Sequence, residues 1–399
     1  MFRALALSTL TVVFWTCGNT PASPTGGGSA DTGGGAATAT GGGDATGGSA
    51  GTTGGGSAST GGGGGGGGGS TGGGSGGSVA LDAGPTPDAG RPMPDAGVPD
   101  AGAPVIDAGV PDAGTYVRFV AIGDTGKGNA GQNQVGQAIG THCAANGCDF
   151  VVLLGDNFYP SGVSSTTDPQ WQTAFVDPYA TVNAPFYAVL GNHDYGGDGA
   201  GTDLPKGDNE VAYSQVNPKW RMPSHHYKWR IANVEFFAAD TNRSMFSVDQ
   251  DVKRDFDQWI PASTAQWKIV FAHHPYKSNG EHGNAGNYDG LAFIPVVNGS
   301  GVKSFVEDRV CGRADFYITG HDHDIEYLQA TCTRAGSTLQ TQLIVSGGGA
   351  ATTTLKGNQP TWYASDQLGF AYIVIHNNTM TTTFYDAMGV QKYTRTVTK

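Results

Sequence analysis

Positive charge is the first scarcity. The 399 residues hold 22 Lys and Arg against 34 Asp and Glu, a formal net charge of −12 at pH 7. That balance excludes nucleic acid as a partner, because such a surface needs a basic face to neutralise phosphates. Charged residues of either sign are sparse, at 14%. Long apolar runs are lacking too. The run Ala4–Trp15, behind Arg3, is too short to cross a bilayer in the usual way and reads as an export signal. Cysteines number only five, and their spacing fits no familiar zinc-ligand pattern.

Glycine is what abounds, with 66 residues gathered mostly near the N-terminus. About half of residues 18–78 are Gly and most others are Ser, Thr or Ala, which leaves too little apolar surface to offset the entropy of ordering them. This segment reads as a flexible linker with an r.m.s. span of roughly 40–45 Å. Residues 79–114 repeat Asp-Ala-Gly six times with Pro interspersed, a stiffer spacer whose Asp residues repel one another. The two linkers carry most of the Asp excess, and the remaining chain from residue 115 to 399 is left at −6. That remainder is long enough for one large domain with a buried core.

Cys17 follows the signal-like run (residues 1–17) directly. A Cys there is similar to the lipidation site of bacterial lipoproteins, although Phe14, Trp15 and Thr16 are poor matches to the small residues that usually precede one. An ordinary cleaved signal with an incidental Cys is the alternative. The expectation is an exported protein, either a cell-surface or outer-envelope lipoprotein or secreted, that meets a membrane only through a lipid at Cys17 and is a monomer. Cys143, Cys148, Cys311 and Cys332 form an even set, which in an exported domain suggests two disulfides. Of three connectivities, Cys143–Cys148 with Cys311–Cys332 is favoured.

The folded region repeats one pattern: a short apolar run, a small residue, then a side chain fit to bind metal. Tyr116–Ile122 leads to Asp124, Phe150–Leu154 to Asp156, Phe186–Leu190 to Asn192, Lys268–Ala272 to His273, and Phe316–Thr319 to His321 and His323. Runs this short, rich in β-branched and aromatic residues, read as buried strands, with helical patterns between them at Gly131–Ala144 and Asp249–Ile260. Alternation of this kind implies βαβ units with functional groups at the C-terminal strand ends. Each piece alone is weak, since Gly-Asp and Gly-Asn also make ordinary turns. The ordered set GDTG, GDNFY, GNHD, AHHP and GHDH is specific.

At these residues the chain resembles the calcineurin-like metallophosphoesterases. Tyr159 in GDNFY narrows the resemblance to purple acid phosphatases, particularly the animal-type, tartrate-resistant form. GDNFYPSGV, APFYAVLGNHD, NPKWRMPSHHY and the His273-to-His282 spacing extend it over nearly the whole folded region. The resemblance implies an α/β fold, a four-layer α/β/β/α sandwich, with a dinuclear metal centre at the rim between two sheets. It implies Fe(III) held by Asp124, Asp156, Tyr159 and His323, and a divalent Fe, Zn or Mn held by Asp156, Asn192, His273 and His321. Hard anionic donors suit the trivalent ion, and imidazoles with an amide oxygen suit a borderline divalent one. His193 and His282 match histidines that bind phosphate and assist the leaving group, so the implied activity is hydrolysis of small phosphomonoesters by a metal-activated hydroxide.

The neighbouring side chains invite plainer readings. His274 stands where the animal-type family more often has Tyr and reads as a supporting residue. His225 and His226 read as loop residues, and His142 and His376 as structural. Asp194, Asp240, Asp322 and Asp324 read as groups that orient the ligands. Mammalian relatives carry a long, cleavable inhibitory loop where this chain has only the short stretch Thr241–Asp251, which implies constitutive activity. Phosphodiesterase or nucleotidase activity on the same scaffold stays open, as does a surface binding protein that keeps metals only for structure.

Overall fold

The computed structural model describes residues 116–399. The export segment, Cys17 and both linkers lie outside the described residues. Two seven-stranded sheets face each other. The first is built from β1 (Tyr116–Ile122), β2 (Phe150–Leu154), β3 (Phe186–Val189), β4 (Trp220–Arg221) and the C-terminal β12 (Gly369–His376), β13 (Thr379–Asp386) and β14 (Gln391–Thr398), in the order β14-β13-β12-β1-β2-β3-β4. The second holds β5 (Tyr227–Ile231), β6 (Val234–Ala238), β7 (Trp267–Phe271), β8 (Phe316–Thr319), β9 (Ile325–Cys332), β10 (Thr341–Ser346) and β11 (Thr361–Ser365), in the order β11-β9-β10-β8-β7-β6-β5.

The centre of each sheet is parallel: β1, β2, β3 and β4 run together in one, and β6, β7, β8 and β10 in the other. Strands covered on both faces need continuous apolar runs, which explains why FVVLL of β2 and VEFFA of β6 are buried at every position. Phe119 and Phe150 from one sheet meet Phe236, Phe271 and Trp229 from the other in edge-on pairs with centroids 5.1–5.8 Å apart.

Helices complete the four layers. Helix α1 (Ala130–Asn146) is capped by the Asn129 side chain, which accepts from Gln132 N–H, and buries Val135 and Ile139 against the first sheet. After the short α2 (Asp208–Tyr213) and α3 (Thr241–Met245), α4 (Gln250–Ala262) and α5 (Ser300–Phe305) cover the second sheet. Val252, Phe256 and Ile260 of α4 and Val302 and Phe305 of α5 pack with Phe237, Val270 and Tyr317. The expected helices thus start within one residue of Gly131 and Asp249, and each runs two residues further than its apolar pattern. The disulfides pair Cys143 with Cys148 and Cys311 with Cys332. No helix among the described residues is long and apolar enough to cross a membrane.

Candidate metal centre

The parallel strands all point the same way, so the turns that follow β1, β2 and β3 open at the same rim as those after β7 and β8. Asp124, Asp156 and Asn192 come from the first sheet, and His273, His321 and His323 from the second. Asp124, Asp156 and His321 have φ of 59°, 54° and 71°. A non-glycine residue pays for that left-handed conformation, and such positions persist where surrounding structure over-determines them. The flanking glycines permit the close approach. A Cβ on Gly191 would lie 2.2 Å from Asp156 Oδ1, and one on Gly320 would lie 2.5 Å from Asp124 Oδ2.

The seven side chains fall into two groups of donor atoms. In one, Tyr159 OH lies 3.2 Å from Asp124 Oδ1, 2.9 Å from Asp156 Oδ2 and 3.0 Å from His323 Nε2. In the other, His273 Nε2 lies 2.9 Å from Asn192 Oδ1, 3.1 Å from His321 Nδ1 and 3.4 Å from Asp156 Oδ1. Asp156 therefore turns one carboxylate oxygen to each group. His273 Nδ1 donates to the Leu154 carbonyl at 2.9 Å, which leaves its Nε2 lone pair facing inward. His321 N–H donates to Asp124 Oδ2 at 2.8 Å and leaves Oδ1 of that carboxylate to the first group.

Charge tests whether cations fit here. Asp124 and Asp156 are fully or almost fully buried, and among the described residues neither pairs with Lys or Arg. Burial, and then the adjacent Asp156 charge, pushes the Asp124 carboxyl well above the ordinary range. Burial also raises Asp156, but His273 and His193 outweigh it and hold that carboxyl well below its usual value. Burial and the two carboxylates raise the Tyr159 phenol far above its usual value, so only a strong local cation would release its proton. Buried acids of this kind fit a site built around positive ions.

His193 and His282 flank the two groups. His193 Nδ1 sits 2.6 Å from the Pro160 carbonyl, which only accepts, so Nδ1 carries a proton, and Nε2 lies 3.9 Å from Asp156 Oδ2. His282 Nδ1 lies 2.8 Å from Asp289 Oδ1, and its ring stacks on His321 with centroids 4.1 Å apart. Burial lowers the proton affinity of His282, yet the Asp289 hydrogen bond and the Asp322 charge overcome it and bring the imidazole up to about 9.

The surrounding residues sort as follows. Asp194 accepts from the backbone N–H of Asn157, Phe158 and Gly191 at 2.8–3.0 Å and so joins two of the motif loops. Asp240 accepts from Tyr195 OH and Arg243 N–H, and Asp322 accepts from His282 N–H at 2.7 Å. His274 is buried, with Nδ1 3.0 Å from Thr241 Oγ1, and together with His273 and His321 it makes a third cluster of potential ligand atoms. His225 and His226 instead pair with Asp208 and Asp255, both at 2.8 Å. His142 packs on Tyr372 and Tyr385, and His376 on Tyr116. Two partners escaped the sequence reading. Glu210 lies beneath Asp194, bound through Asn157 Nδ2 at 3.0 Å, and Asp289 follows His282 by seven residues with no motif around it.

Two sheets that present carboxylate, phenol, amide and imidazole donors in paired groups at one rim define a dinuclear metallohydrolase scaffold. Residues 117–324 match the profile of the calcineurin-like phosphoesterases. The chain is 30% identical over 305 residues to purple acid phosphatase 4 of Arabidopsis thaliana, covering 68% of this chain and 81% of that protein. It is 28% identical over 314 residues to human tartrate-resistant acid phosphatase type 5, covering 68% of this chain and 88% of the relative. The solved structure of GAP50, the anchor in the inner membrane complex of Plasmodium, shares the fold with a TM-score of 0.56 at 21% identity, covering 71% of this chain and 89% of that one. The chain belongs to the calcineurin-like phosphoesterase family and, within it, to the purple acid phosphatases. It is accordingly a metal-dependent phosphoric monoester hydrolase, and the family implies a dinuclear centre containing iron.

Proposed function

We propose that Asp124, Asp156, Tyr159 and His323 hold a ferric ion, and that Asp156, Asn192, His273 and His321 hold a divalent Fe, Zn or Mn. The observation that carries this reading is the division of the Asp156 oxygens between the two donor groups. Bound cations would supply acidified water and neutralise phosphoryl charge. The chain's own contribution is to place and orient. His193, held through Pro160, donates from the Nε2–H of its imidazolium to a phosphoryl oxygen, and His282 delivers a proton to the departing alkoxide. The substrates in this reading are small phosphomonoesters outside the cell, reached by a catalytic domain (residues 115–399) tethered through residues 18–78 and 79–114 to an export segment whose Cys17 carries lipid.

Elemental analysis with a visible spectrum tests the metal assignment. Wild-type protein is expected to hold iron and to show a broad phenolate-to-iron band that disappears in Tyr159→Phe. His193→Ala is expected to lose at least about 100-fold in turnover of an aryl phosphate with metal content unchanged. A metal-loaded wild-type protein without turnover would favour a binding protein with structural metals, and full activity in His193→Ala would remove His193 from the catalytic set. Rates on aryl phosphates well above those on bis-aryl phosphates and nucleotides separate the monoesterase from a diesterase or nucleotidase.

The segment Thr241–Asp251 is short, opens with α3, whose N-terminus is capped by Asp240, and ends in the first residues of α4. Limited proteolysis there is expected to leave turnover unchanged or lower. A severalfold rise would mean that this stretch is inhibitory.

A further inference from the structure

The loop from His282 to Gly290 closes on itself through one residue. Asp289 N–H donates to the His282 carbonyl at 3.0 Å, while Asp289 Oδ1 accepts from His282 Nδ1–H at 2.8 Å. Asp289 holds both contacts from a left-handed backbone with φ 53° and ψ 20°. On its other side His282 is pinned by its own N–H to Asp322 Oδ1 at 2.7 Å and by its stack on His321. The Asp289 bond and the stack fix the imidazole plane, the Asp322 bond fixes its backbone, and among the described residues no hydrogen bond reaches Nε2.

We propose that Asp289 is a positioning residue for hydrolysis, holding His282 so that Nε2–H points at the leaving oxygen. The inference rests on the assignment of His282 as proton donor. In the step, water adds to phosphorus while the P–O bond to the alcohol breaks. The departing oxygen takes the proton from His282 Nε2, and the products are the alcohol and inorganic phosphate. His282 is left neutral with Nδ1–H still on Asp289, and it regains a proton from solvent. The loop hydrogen bond thereby serves two ends, since it fixes the tautomer and keeps the ring from rotating between turnovers.

The test is a series of phosphomonoesters whose leaving groups range from para-nitrophenol through phenol to a simple alcohol, because a proton donor matters most where the leaving group is most basic. Asp289→Gly is the informative variant. Glycine accepts the left-handed backbone and keeps the N–H to His282, so only the carboxylate is lost. It is expected to lower kcat about threefold on the para-nitrophenyl ester and about 30-fold or more on the alkyl ester, with KM and metal content little changed. Asp289→Asn also tolerates this backbone and keeps an oxygen that accepts from Nδ1–H, so it should recover most of the alkyl-ester rate.

His282→Ala separates the two levels of the argument. If His282→Ala shows the steep dependence on leaving group and Asp289→Gly loses rate uniformly or not at all, Asp289 only closes the loop and the proposal is overturned. If His282→Ala itself shows no such dependence, the proton-donor assignment falls and the role of Asp289 falls with it.

Discussion

Asp156→Ala is expected to strip both metal ions from the protein and to lower phosphatase turnover at least about 10³-fold. The magnitude follows from position. Asp156 is the one side chain whose two oxygens reach both donor groups, 2.9 Å from Tyr159 OH on one side and 3.4 Å from His273 Nε2 on the other. In the proposed ligand set its removal would delete a ligand from each cation and the shared charge that would let two cations sit side by side. Asn192→Ala provides the contrast, because that amide belongs to one group alone and its loss should weaken a single ion. Metal content per chain, measured beside turnover, distinguishes the two. A doubly loaded Asp156→Ala protein would show that the carboxylate is not shared.

Asp194→Ala is expected to produce the largest loss of stability. The side chain touches no proposed ligand atom, yet it accepts from three buried backbone N–H groups that belong to the GDNFY and GNHD loops. At roughly 1–3 kcal/mol for each buried donor left without an acceptor, the change costs about 3 kcal/mol or more. In a domain of this size that corresponds to a fall in Tm of roughly 6–12 °C. Metal affinity should drop a further 10–100-fold or so, because the two loops carry Asp156 and Asn192. Burial, and then the nearby Asp156 charge, pushes Asp194 up to about 8, burial and then the Asp194 charge raise Glu210, and Asn157 Nδ2 donates to both carboxyls. Asp194→Asn keeps an accepting oxygen and should be milder. Equal melting temperatures for wild type and Asp194→Ala would show that the loops hold their shape without this carboxylate.

The central strands were legible because burial on both faces imposes unbroken apolar runs, and FVVLL or FYIT can hardly be anything else. Their boundaries moved by a residue where the run outlasted the ladder, as at Leu190, which is buried beyond the end of β3. The last two strands, β13 and β14, left weaker traces. Segments such as TMTTTFYD and QKYTRTVT alternate exposure and carry many Thr, a pattern that a loop-rich tail shares. The motif residues could be read because each stands just past a strand end. Their left-handed φ values could not, since nothing in the letters of GDTG marks Asp124 as strained. Asp289 and Glu210 stayed hidden for a different reason: their partnerships depend on loop closure and on burial, and neither has a local sequence period. The histidines of PSHHY were readable only as exceptions, and their 2.8 Å contacts with Asp208 and Asp255 account for them as residues that tie the loop down.

The division of donors between the sheets has a consequence for how such a protein matures. With the proposed ligands, each cation draws on residues before position 193 and on others after position 272, so neither half of the chain encloses an ion alone. Capture must wait until the long intervening stretch has been brought round, and the closure entropy of that span is spent before any coordinate bond can reward it. Ion uptake would then be a late event that seals an already assembled fold, and a polypeptide interrupted midway would emerge colourless and inert.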